Sequence, residues 1–368
     1  MRQEPLSADS ALPNRRLDLF PLTTRVAATP GRTVLSIGGC DVGELAQRFG
    51  TPLYLFDQAT LDQSVRAYQT ALSSAYPGPS GITYAGKAGM TLALAQWAAS
   101  RGLRLDCTGV GELHVALAAG VPRAQILVHG VNKSAADLAL AWRTAGVIVV
   151  DNLDELQRLI RLAGDASDGD ASDGAWSPEL WLRVRPGTAV ETHAYRQTGQ
   201  VDSKFGMDRD EVVRAVELAQ QAGLRLTGLH FHQGSHFHDP EPVAEGVEMV
   251  VELMAFLHRA QGWTPDHLSP GGGWGIAYHE DELPQPLVAH YVDAIAATLV
   301  DGCAARDLPL PALHVEPGRS LVARAGVALY TVGAVKVTPN RRWLLIDGGM
   351  ADNIRPALYG ARYSALPV

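Results

Sequence analysis

Apolar and polar residues follow two rhythms along most of this 368-residue chain. Short apolar runs predict β-strands, and the longer stretches between them repeat apolar positions every three to four residues, as amphipathic helices do. Strands are predicted at residues 53–56, 82–85, 103–106, 126–129, 147–150, 180–185, 226–232, 267–269 and 313–315. Helices are predicted at residues 59–76, 91–101, 111–119, 134–145, 153–163, 210–222 and 243–261. Ser134 and either Asp151 or Asn152 stand where N-caps of two of these helices belong.

The alternation of strands and helices predicts an α/β fold. About eight repeats fit a (β/α)8 barrel of the TIM type, although periodicity alone leaves an open doubly wound sheet as a competitor. Segments 17–50 and 325–368 instead have a β-rich pattern, with strands predicted at 33–37, 327–337 and 343–347. We therefore expect an N-terminal segment (1–50) to join a C-terminal segment (321–368) in a β domain beside a barrel at 51–320.

Composition narrows the class of protein. The chain is 46% hydrophobic and 19% charged, as soluble globular proteins are, and its net charge of −8 argues against nucleic acid as a partner. We expect no membrane partner, because no apolar run looks long enough to span a bilayer and residues 1–16 do not resemble a secretory signal. Three widely spaced cysteines indicate a reducing compartment, so a cytoplasmic enzyme is expected. The acidic segment 165–174 is interpreted as a solvated surface loop rather than a calcium loop.

Lys87 is the first candidate for chemistry. It is one of only four lysines, and it lies among small residues at a predicted strand end, in the run Tyr84-Ala85-Gly86-Lys87-Ala88-Gly89. A desolvated amine can attack a carbonyl, so covalent catalysis is one interpretation. A surface lysine at a strand end is the other.

Three later motifs also follow predicted strands. Gly271, Gly272 and Gly273 could let backbone N–H groups approach a phosphate, or could form a plain tight turn. Four histidines between residues 230 and 238 suggest a metal site, but no acidic or cysteine ligand has suitable spacing. A histidine stacked on an aromatic ligand, with Ser235 as a phosphate donor, explains that run better. Glu316-Pro317-Gly318-Arg319 could address a ring nitrogen and an anion together, or form an ordinary loop ion pair.

Together, these motifs resemble those of the fold-type III pyridoxal-phosphate decarboxylases of the alanine racemase-like group, and most closely the diaminopimelate decarboxylases. The resemblance covers nearly the whole chain, and the motifs occur in the expected order. They are Tyr84–Lys87, Leu105–Asp106 with Gly111–Leu113, Asp202–Gly206, His232–Ser235, Gly271–Gly273, Glu316–Arg319, Asp347–Met350 and Arg355–Ala361.

The resemblance implies a role for each matching residue. Lys87 would hold pyridoxal 5′-phosphate as a Schiff base, and His232 would stack on the pyridine ring. Glu316 would face the ring nitrogen and stabilise the pyridinium that acts as an electron sink. The other cofactor-binding residues would be Asp106, Ser235, Gly271, Gly272, Gly273, Pro317, Gly318 and Arg319.

The resemblance also implies a substrate. Arg319, Arg355 and Tyr359 would grip the distal end of meso-2,6-diaminopimelate, because a second carboxylate calls for arginine. The product would be L-lysine, formed with CO2 in the last step of bacterial lysine biosynthesis. Two alternatives stay open: a related decarboxylase acting on another amino acid, such as D-ornithine or D-lysine, and a cofactor-binding protein without turnover.

The sequence departs from the family pattern in three places. Gly86 and Gly89 replace larger residues beside the lysine, and Gln233 replaces an aliphatic residue. The family's later Cys-Glu segment, whose cysteine is the expected proton donor, has no counterpart, and neither Cys107 nor Cys303 lies in such a motif. We therefore expect either a truncated sequence or a site completed in another way. We also expect a homodimer with shared active sites, as the family resemblance implies.

Overall fold

The computed structural model describes residues 14–29, 32–167, 176–187 and 203–368. These residues form two compact units. One comprises the described parts of Met1–Ser64 with Ile276–Pro286 and Val322–Val368, and the other comprises the described parts of Val65–Gly275 with Leu287–Leu321. Most of the acidic segment predicted as a surface loop lies outside the described residues.

The first unit starts with small antiparallel strands. Its N-terminal elements are α1 (Asn14–Leu17), β1 (Arg25–Thr29), β2 (Arg32–Ile37), β3 (Cys40–Asp41), α2 (Val42–Phe49) and β4 (Leu53–Phe56). Strands β1, β2 and β3 form one sheet in that order. Asp41 caps α2, since its side chain accepts hydrogen bonds from the backbone N–H groups of Gly43 and Glu44.

The second unit is built on a closed barrel of eight parallel strands. The strands are β5 (Ser80–Ala85), β6 (Arg104–Cys107), β7 (Ile126–Val128), β8 (Val147–Val150), β9 (Glu179–Arg183), β10 (Leu226–His230), β11 (His267–Gly271) and β12 (Ala312–Val315). Closure occurs where β12 pairs with β5, with Leu313 opposite Ser80. The barrel predicted from the alternation is therefore confirmed, and the open sheet is excluded.

Helices follow the strands, as in other (β/α)8 barrels. They are α3 (Gln58–Ala75), α4 (Leu92–Ser100), α5 (Val110–Ala118), α6 (Ala135–Thr144), α7 (Leu153–Ser167), α8 (Arg209–Gln221), α9 (Glu241–Gln261), α10 (Val288–Ala305) and α11 (Arg319–Val322). Ser134 caps α6 in a capping box with Asp137. The side chain of Asn152, rather than that of Asp151, accepts from the Glu155 N–H at the start of α7.

A large aromatic side chain packs among the barrel strands. Trp181 is fully buried and packs in a cluster with Leu127, Val147 and Val149. A Cβ atom at Gly228 would lie 2.5 Å from the Trp181 ring, so glycine is required on the neighbouring strand. The Trp181 ring thus occupies space between the strands. The candidate functional side chains lie at the ends of the barrel strands instead.

The C-terminal part of the first unit contains β13 (Gly326–Leu329), β14 (Val332–Thr338), β15 (Arg341–Ile346) and α12 (Arg355–Tyr359). Strand β13 pairs antiparallel with β4, whereas β14 and β15 form a separate hairpin. Residues 53–56 are therefore a strand, as predicted, but not a barrel strand. The single strand predicted at 327–337 is in fact two strands.

The two ends of the chain share a core. Leu35, Ile37 and Val42 from the N-terminal segment pack with Val327 and Leu329 from the C-terminal segment. The prediction that both ends contribute β-structure outside the barrel is confirmed.

One helix among the described residues, Val288–Ala305, is long and apolar enough to cross a membrane by length and composition. The expectation that no run reaches this length was therefore wrong. Tyr291, Val292, Ile295 and Leu299 recur at helical spacing and are buried in the barrel unit. A core helix of this kind passes the same test, so the match by itself does not indicate a membrane span.

Candidate active site

Polar and charged side chains collect where the barrel strands end. In a parallel barrel these carboxyl ends share one face, which is where TIM-barrel enzymes place their chemistry. The set, one residue for each strand from β5 to β12, is Lys87, Asp106, His129, Asp151, Arg183, His230, Ser269 and Glu316. Four of its members, His129, His230, Ser269 and Glu316, come from strands distant in sequence and meet in one buried cluster.

Glu316 is the centre of that cluster. It follows β12, is buried, and receives a hydrogen bond from Ser269 Oγ at 2.8 Å on one carboxylate oxygen. His230 Nε2 lies 3.0 Å from the other oxygen, and His129 Nε2 lies 3.4 Å from the same oxygen. Both carboxylate oxygens therefore have close polar neighbours.

These neighbours decide the charge of Glu316. Burial alone would raise the pKa of its carboxyl, but His230 and His129 beside it hold the pKa well below its usual range. Burial lowers the pKa of His230 and of His129, although the carboxylate opposes that shift. The close contacts with Ser269 Oγ and His230 Nε2 thus favour the ionised form of Glu316.

Lys87 stands in a 3-10 turn, Gly86–Ala88, directly after β5. Its side chain is exposed in the polypeptide alone. A Cβ atom at Gly86 would lie 2.1 Å from Met90 Cε and 2.6 Å from the Asp106 carbonyl oxygen. The glycine that departs from the family pattern is thus needed here for close packing of the turn.

Asp106 lies in β6 and is buried. Burial raises the pKa of its carboxyl, and the charges of His129 and Lys87 oppose that rise. Its Oδ1 atom has no hydrogen-bond partner among the described residues. A buried carboxyl oxygen in this state has spare capacity for a ligand group.

The three glycines form a tight wall. A Cβ atom at Gly271 would lie 2.6 Å from His232 Nδ1, one at Gly272 would lie 2.1 Å from the Glu316 carbonyl oxygen, and one at Gly273 would lie 2.1 Å from the Gly234 carbonyl oxygen. The Gly272 N–H donates to His232 Nδ1 at 3.3 Å. The wall therefore fixes the imidazole of His232, which is partly exposed.

Ser235 and Arg319 come together, as two of the predicted phosphate-binding residues. Arg319 donates from Nη2 to Ser235 Oγ at 3.2 Å. Glu316 faces His230 and Ser269 instead, so the Glu316-Pro317-Gly318-Arg319 motif directs its two charged residues to different partners. This geometry does not match the simple loop ion pair that was one interpretation of the motif.

The described part of the Asp202–Gly206 motif packs against β9. The guanidinium of Arg183 lies 4.4 Å from the centre of the Phe205 ring, and Met207 forms a backbone bridge with Val184. Asp202 itself lies outside the described residues. The motif therefore covers a buried arginine, whose other partner is Asp151 at 3.5 Å.

Arg355 and Tyr359 lie on helix α12 of the first unit. Arg355 donates to Tyr363 Oη at 2.7 Å, and its guanidinium lies 4.5 Å from the centre of the Tyr278 ring. Both Arg355 and Tyr359 are partly exposed. The aromatic rings thus hold Arg355 in a defined position while part of it stays accessible.

Comparison with known proteins identifies the family. A family model described as "Pyridoxal-dependent decarboxylase, pyridoxal binding domain" matches residues 59–323. The diaminopimelate decarboxylase of Bacillus methanolicus is 39% identical over 337 residues, covering 90% of this chain and 76% of that protein. The chain belongs to the diaminopimelate decarboxylase family. It is a pyridoxal-dependent decarboxylase, and pyridoxal phosphate is its cofactor.

Two further comparisons agree with this family. The Synechocystis diaminopimelate decarboxylase is 38% identical over 363 residues, covering 96% of this chain and 75% of that protein. The crystal structure of the M. jannaschii diaminopimelate decarboxylase in complex with L-lysine superposes with a TM-score of 0.81 at 29% identity, covering 92% of this chain and 76% of that one.

The residues at the barrel rim fit pyridoxal phosphate. The cofactor needs a primary amine, a partner for its ring nitrogen and a wall that its phosphate can approach closely. Lys87 offers the amine, Glu316 is a buried carboxylate, and the glycine wall leaves no room for side chains. Asp106 Oδ1, which has no hydrogen-bond partner in the described part of the chain, is a further polar atom available to a ligand.

The sequence did not single out His129, His230 or Ser269 as site residues. His230 was noted only as one of a run of histidines, and the carboxylate that it contacts is 86 residues away along the chain. Their positions could have indicated them as site residues, since each of the three lies in or directly after a predicted barrel strand. The sequence offered no acidic ligand for a metal site at the histidine run. The fold places the Glu316 carboxylate beside His129 and His230.

Proposed function

We propose that this chain decarboxylates meso-2,6-diaminopimelate to L-lysine and CO2, as a step of lysine biosynthesis. The similarity to diaminopimelate decarboxylases over 90% or more of the chain supports this reaction most strongly. The L-lysine bound in the M. jannaschii relative is consistent with an amino-acid ligand of the same kind. In the reaction, the bond from the α-carbon to its carboxylate breaks and a proton takes the place of CO2.

Pyridoxal phosphate, when bound, supplies an electron sink for the pair of electrons that CO2 leaves behind. The residues of this chain would prepare that chemistry. Lys87 would hold the cofactor through its amine, and Glu316 would present a fixed negative charge to the ring nitrogen. His232, held by the Gly272 N–H, would cover one ring face and exclude water from it.

The phosphate would be bound by neutral and cationic donors. Ser235 Oγ and Arg319 Nη2 already contact each other, so both lie within reach of one anion. We assign the backbone of Gly271, Gly272 and Gly273 to the same phosphate, with Pro317 and Gly318 shaping the loop that carries Arg319. Asp106 would accept a hydrogen bond from the cofactor ring.

Recognition of the substrate requires a group for its distal carboxylate. We assign this role to Arg319, Arg355 and Tyr359, because a guanidinium can bind a carboxylate with two parallel hydrogen bonds. Arg355 is oriented by Tyr363 and Tyr278, which reduces the entropy lost when it binds an anion.

The test of the proposed function is CO2 release by the purified chain supplied with pyridoxal phosphate and meso-diaminopimelate. Release of CO2 with an equal amount of L-lysine is the expected result. Cofactor that binds to Lys87 without any release of CO2 would overturn the proposal and indicate a cofactor-binding protein without turnover. Equal or faster turnover of D-ornithine or D-lysine would instead reassign the substrate.

We also propose a cytoplasmic homodimer. The hairpin formed by β14 and β15 supports association, because it exposes Val335, Val337, Trp343 and Leu344, with Val337 75% exposed. A second copy that covers this hairpin would remove apolar surface from water. Light scattering should give twice the chain mass, and a fully active monomer would contradict the proposal.

A further inference from the structure

The position and charge of the Glu316 carboxylate depend on polar neighbours at both of its oxygens. Ser269 Oγ donates to one oxygen at 2.8 Å and accepts from the Gly271 N–H at 3.2 Å. The serine hydroxyl therefore links the glycine wall to the carboxylate. Because the Gly271 N–H occupies a lone pair of the hydroxyl, its proton is directed towards Glu316.

The other oxygen has an imidazole in a fixed tautomer. His230 Nε2 lies 3.0 Å from Glu316, and an ionised carboxylate can only accept, so the His230 proton is on Nε2. His230 Nδ1 is buried and has no hydrogen-bond partner among the described residues. A second proton on Nδ1 would have no acceptor there, which keeps the ring neutral.

His129 completes the arrangement from a third strand. Its Nε2 lies 3.4 Å from the oxygen that His230 contacts, and the two imidazole rings meet edge to face with centres 4.5 Å apart. His129 thus packs against the His230 ring and places a second imidazole beside the same carboxylate oxygen.

We propose that His230, together with Ser269 and His129, acts as a set of positioning residues that holds the Glu316 carboxylate in one orientation and in its charged form. The inference rests on the proposed role of Glu316 at the ring nitrogen of the cofactor. None of the three residues needs to touch substrate. Their function would be to ensure that the ring nitrogen meets a preformed negative charge, so that no reorganisation is needed during the reaction.

Other charged or titratable groups also face this cluster from the surrounding strands and helices. They are Lys87, Arg104, Asp106, Arg183, His232, Tyr291 and His314. Arg183 contributes a positive charge, whereas Asp106 would contribute a negative one. These groups remain in place when His230 is replaced. A His230 variant therefore tests the hydrogen bond to Glu316 separately from the electrostatic effect of the surrounding charges.

The first measurement is an infrared titration of the cofactor-free protein, with Glu316→Gln used to assign the carboxyl band. In the wild type we expect no protonated Glu316 over the pH range in which the protein stays folded. In His230→Leu the protonated band should appear within that pH range, because a charged hydrogen bond to the carboxylate is lost. His230→Gln keeps an N–H donor and should restore most of the wild-type titration.

Two variants guard against a general structural effect. His258→Gln removes an exposed imidazole on α9 that is hydrogen-bonded to Thr264 and does not belong to this cluster, so it should leave the Glu316 titration unchanged. If His230→Leu does not fold, Ser269→Ala tests the other oxygen and should shift the titration in the same direction. An unchanged Glu316 titration in His230→Leu, or in Ser269→Ala where the first cannot be studied, would overturn the proposal.

A second readout uses cofactor binding. His230→Leu should bind pyridoxal phosphate roughly ten to a hundredfold more weakly than the wild type, and His230→Gln within about threefold of it. Equal loss of affinity in both variants would overturn the proposal. So would tight binding of added Zn2+ by the cofactor-free protein that is lost in both variants, since His230 would then be a metal ligand. These results are independent of CO2 release, so failure of the proposed function is recognised separately.

Discussion

His230 Nε2 and Glu316 Oε2 lie 3.0 Å apart inside the barrel, although 86 residues separate them in the chain. Both side chains are buried, with exposed fractions of 1% and 7%. Loss of this contact would leave the buried His230 Nε2 without its carboxylate partner, which costs free energy of folding. It therefore joins β10 and β12 at the face where the cofactor chemistry is expected.

Replacing Lys87 with alanine should abolish the visible absorbance of lysine-bound cofactor and reduce decarboxylation by several orders of magnitude. The reason is that Lys87 is assigned as the amine that holds the cofactor, and alanine has no amine to replace it. Absorbance spectra and CO2 release measure the two effects. Lys336→Ala is the matched control, since Lys336 is exposed on β14; an unchanged cofactor band in Lys87→Ala would mean that another amine holds the ring.

Replacing Arg355 with alanine should raise KM for meso-diaminopimelate by about 10- to 100-fold, the effect of one lost charged hydrogen-bonding group. KM for a monocarboxylic amino acid should change much less, because such a substrate has no distal carboxylate. Steady-state kinetics with both substrates decide the matter. Arg362→Ala removes an exposed arginine paired with Asp281 and serves as the control. Equal effects on the two substrates would refute the distal-carboxylate role.

Alanine at Gly272 should prevent tight cofactor binding, because its Cβ would lie 2.1 Å from the Glu316 carbonyl oxygen and force the wall apart. The free energy of unfolding should also fall, by about 1–3 kcal/mol. Gly164→Ala is the control, since Gly164 lies in α7 with no atom within 4 Å of the added Cβ. Wild-type cofactor affinity in Gly272→Ala would show that the wall is not needed for binding.

The buried ion pair between Lys133 and Glu155 should matter for stability. Lys133 Nζ lies 2.7 Å from Glu155 and also donates to the carbonyl oxygens of Gly130 and Val149 at 2.8 Å. Lys133→Met would leave the carboxylate buried without its partner, which is expected to destabilise the fold by about 3–5 kcal/mol. Chemical denaturation measures the change. The exposed pair Arg214–Glu217 gives the comparison, with at most about 1 kcal/mol for Glu217→Gln.

His314 should make the fold sensitive to acid. Burial, together with Arg104 and His267 nearby, lowers the pKa of His314 to about 3. The His314 imidazole of the unfolded chain therefore takes up a proton near pH 6.5, whereas that of the folded chain does not. The free energy of unfolding is not reduced by this proton above about pH 6.5, and it falls as the pH is lowered from there towards pH 3. The expected slope is about 1.4 kcal/mol per pH unit. His314→Gln should remove this slope in unfolding experiments; an identical pH profile would contradict the assignment.

The alternation of apolar and polar residues was enough to predict the barrel. Strands such as Val147–Val150 are buried along their whole length, so they must be apolar throughout, and helices such as α9 repeat their apolar positions with helical spacing. Motifs tied to the local backbone were also readable. Gly272 and Lys87 could be recognised as site candidates from their neighbours in sequence, because each lies in a turn formed by a few consecutive residues.

The pairing of β4 with β13 and the cluster around Glu316 were decided only by the tertiary structure. Residues 53–56 have the pattern of a strand, but the pattern does not say which partner completes the hydrogen bonding, and β13 lies more than 250 residues away. His129, His230 and Ser269 become one unit with Glu316 because barrel closure brings β7, β10, β11 and β12 to one face. A sequence determines where polar residues lie along each strand, whereas their mutual distances depend on the closed geometry of the sheet.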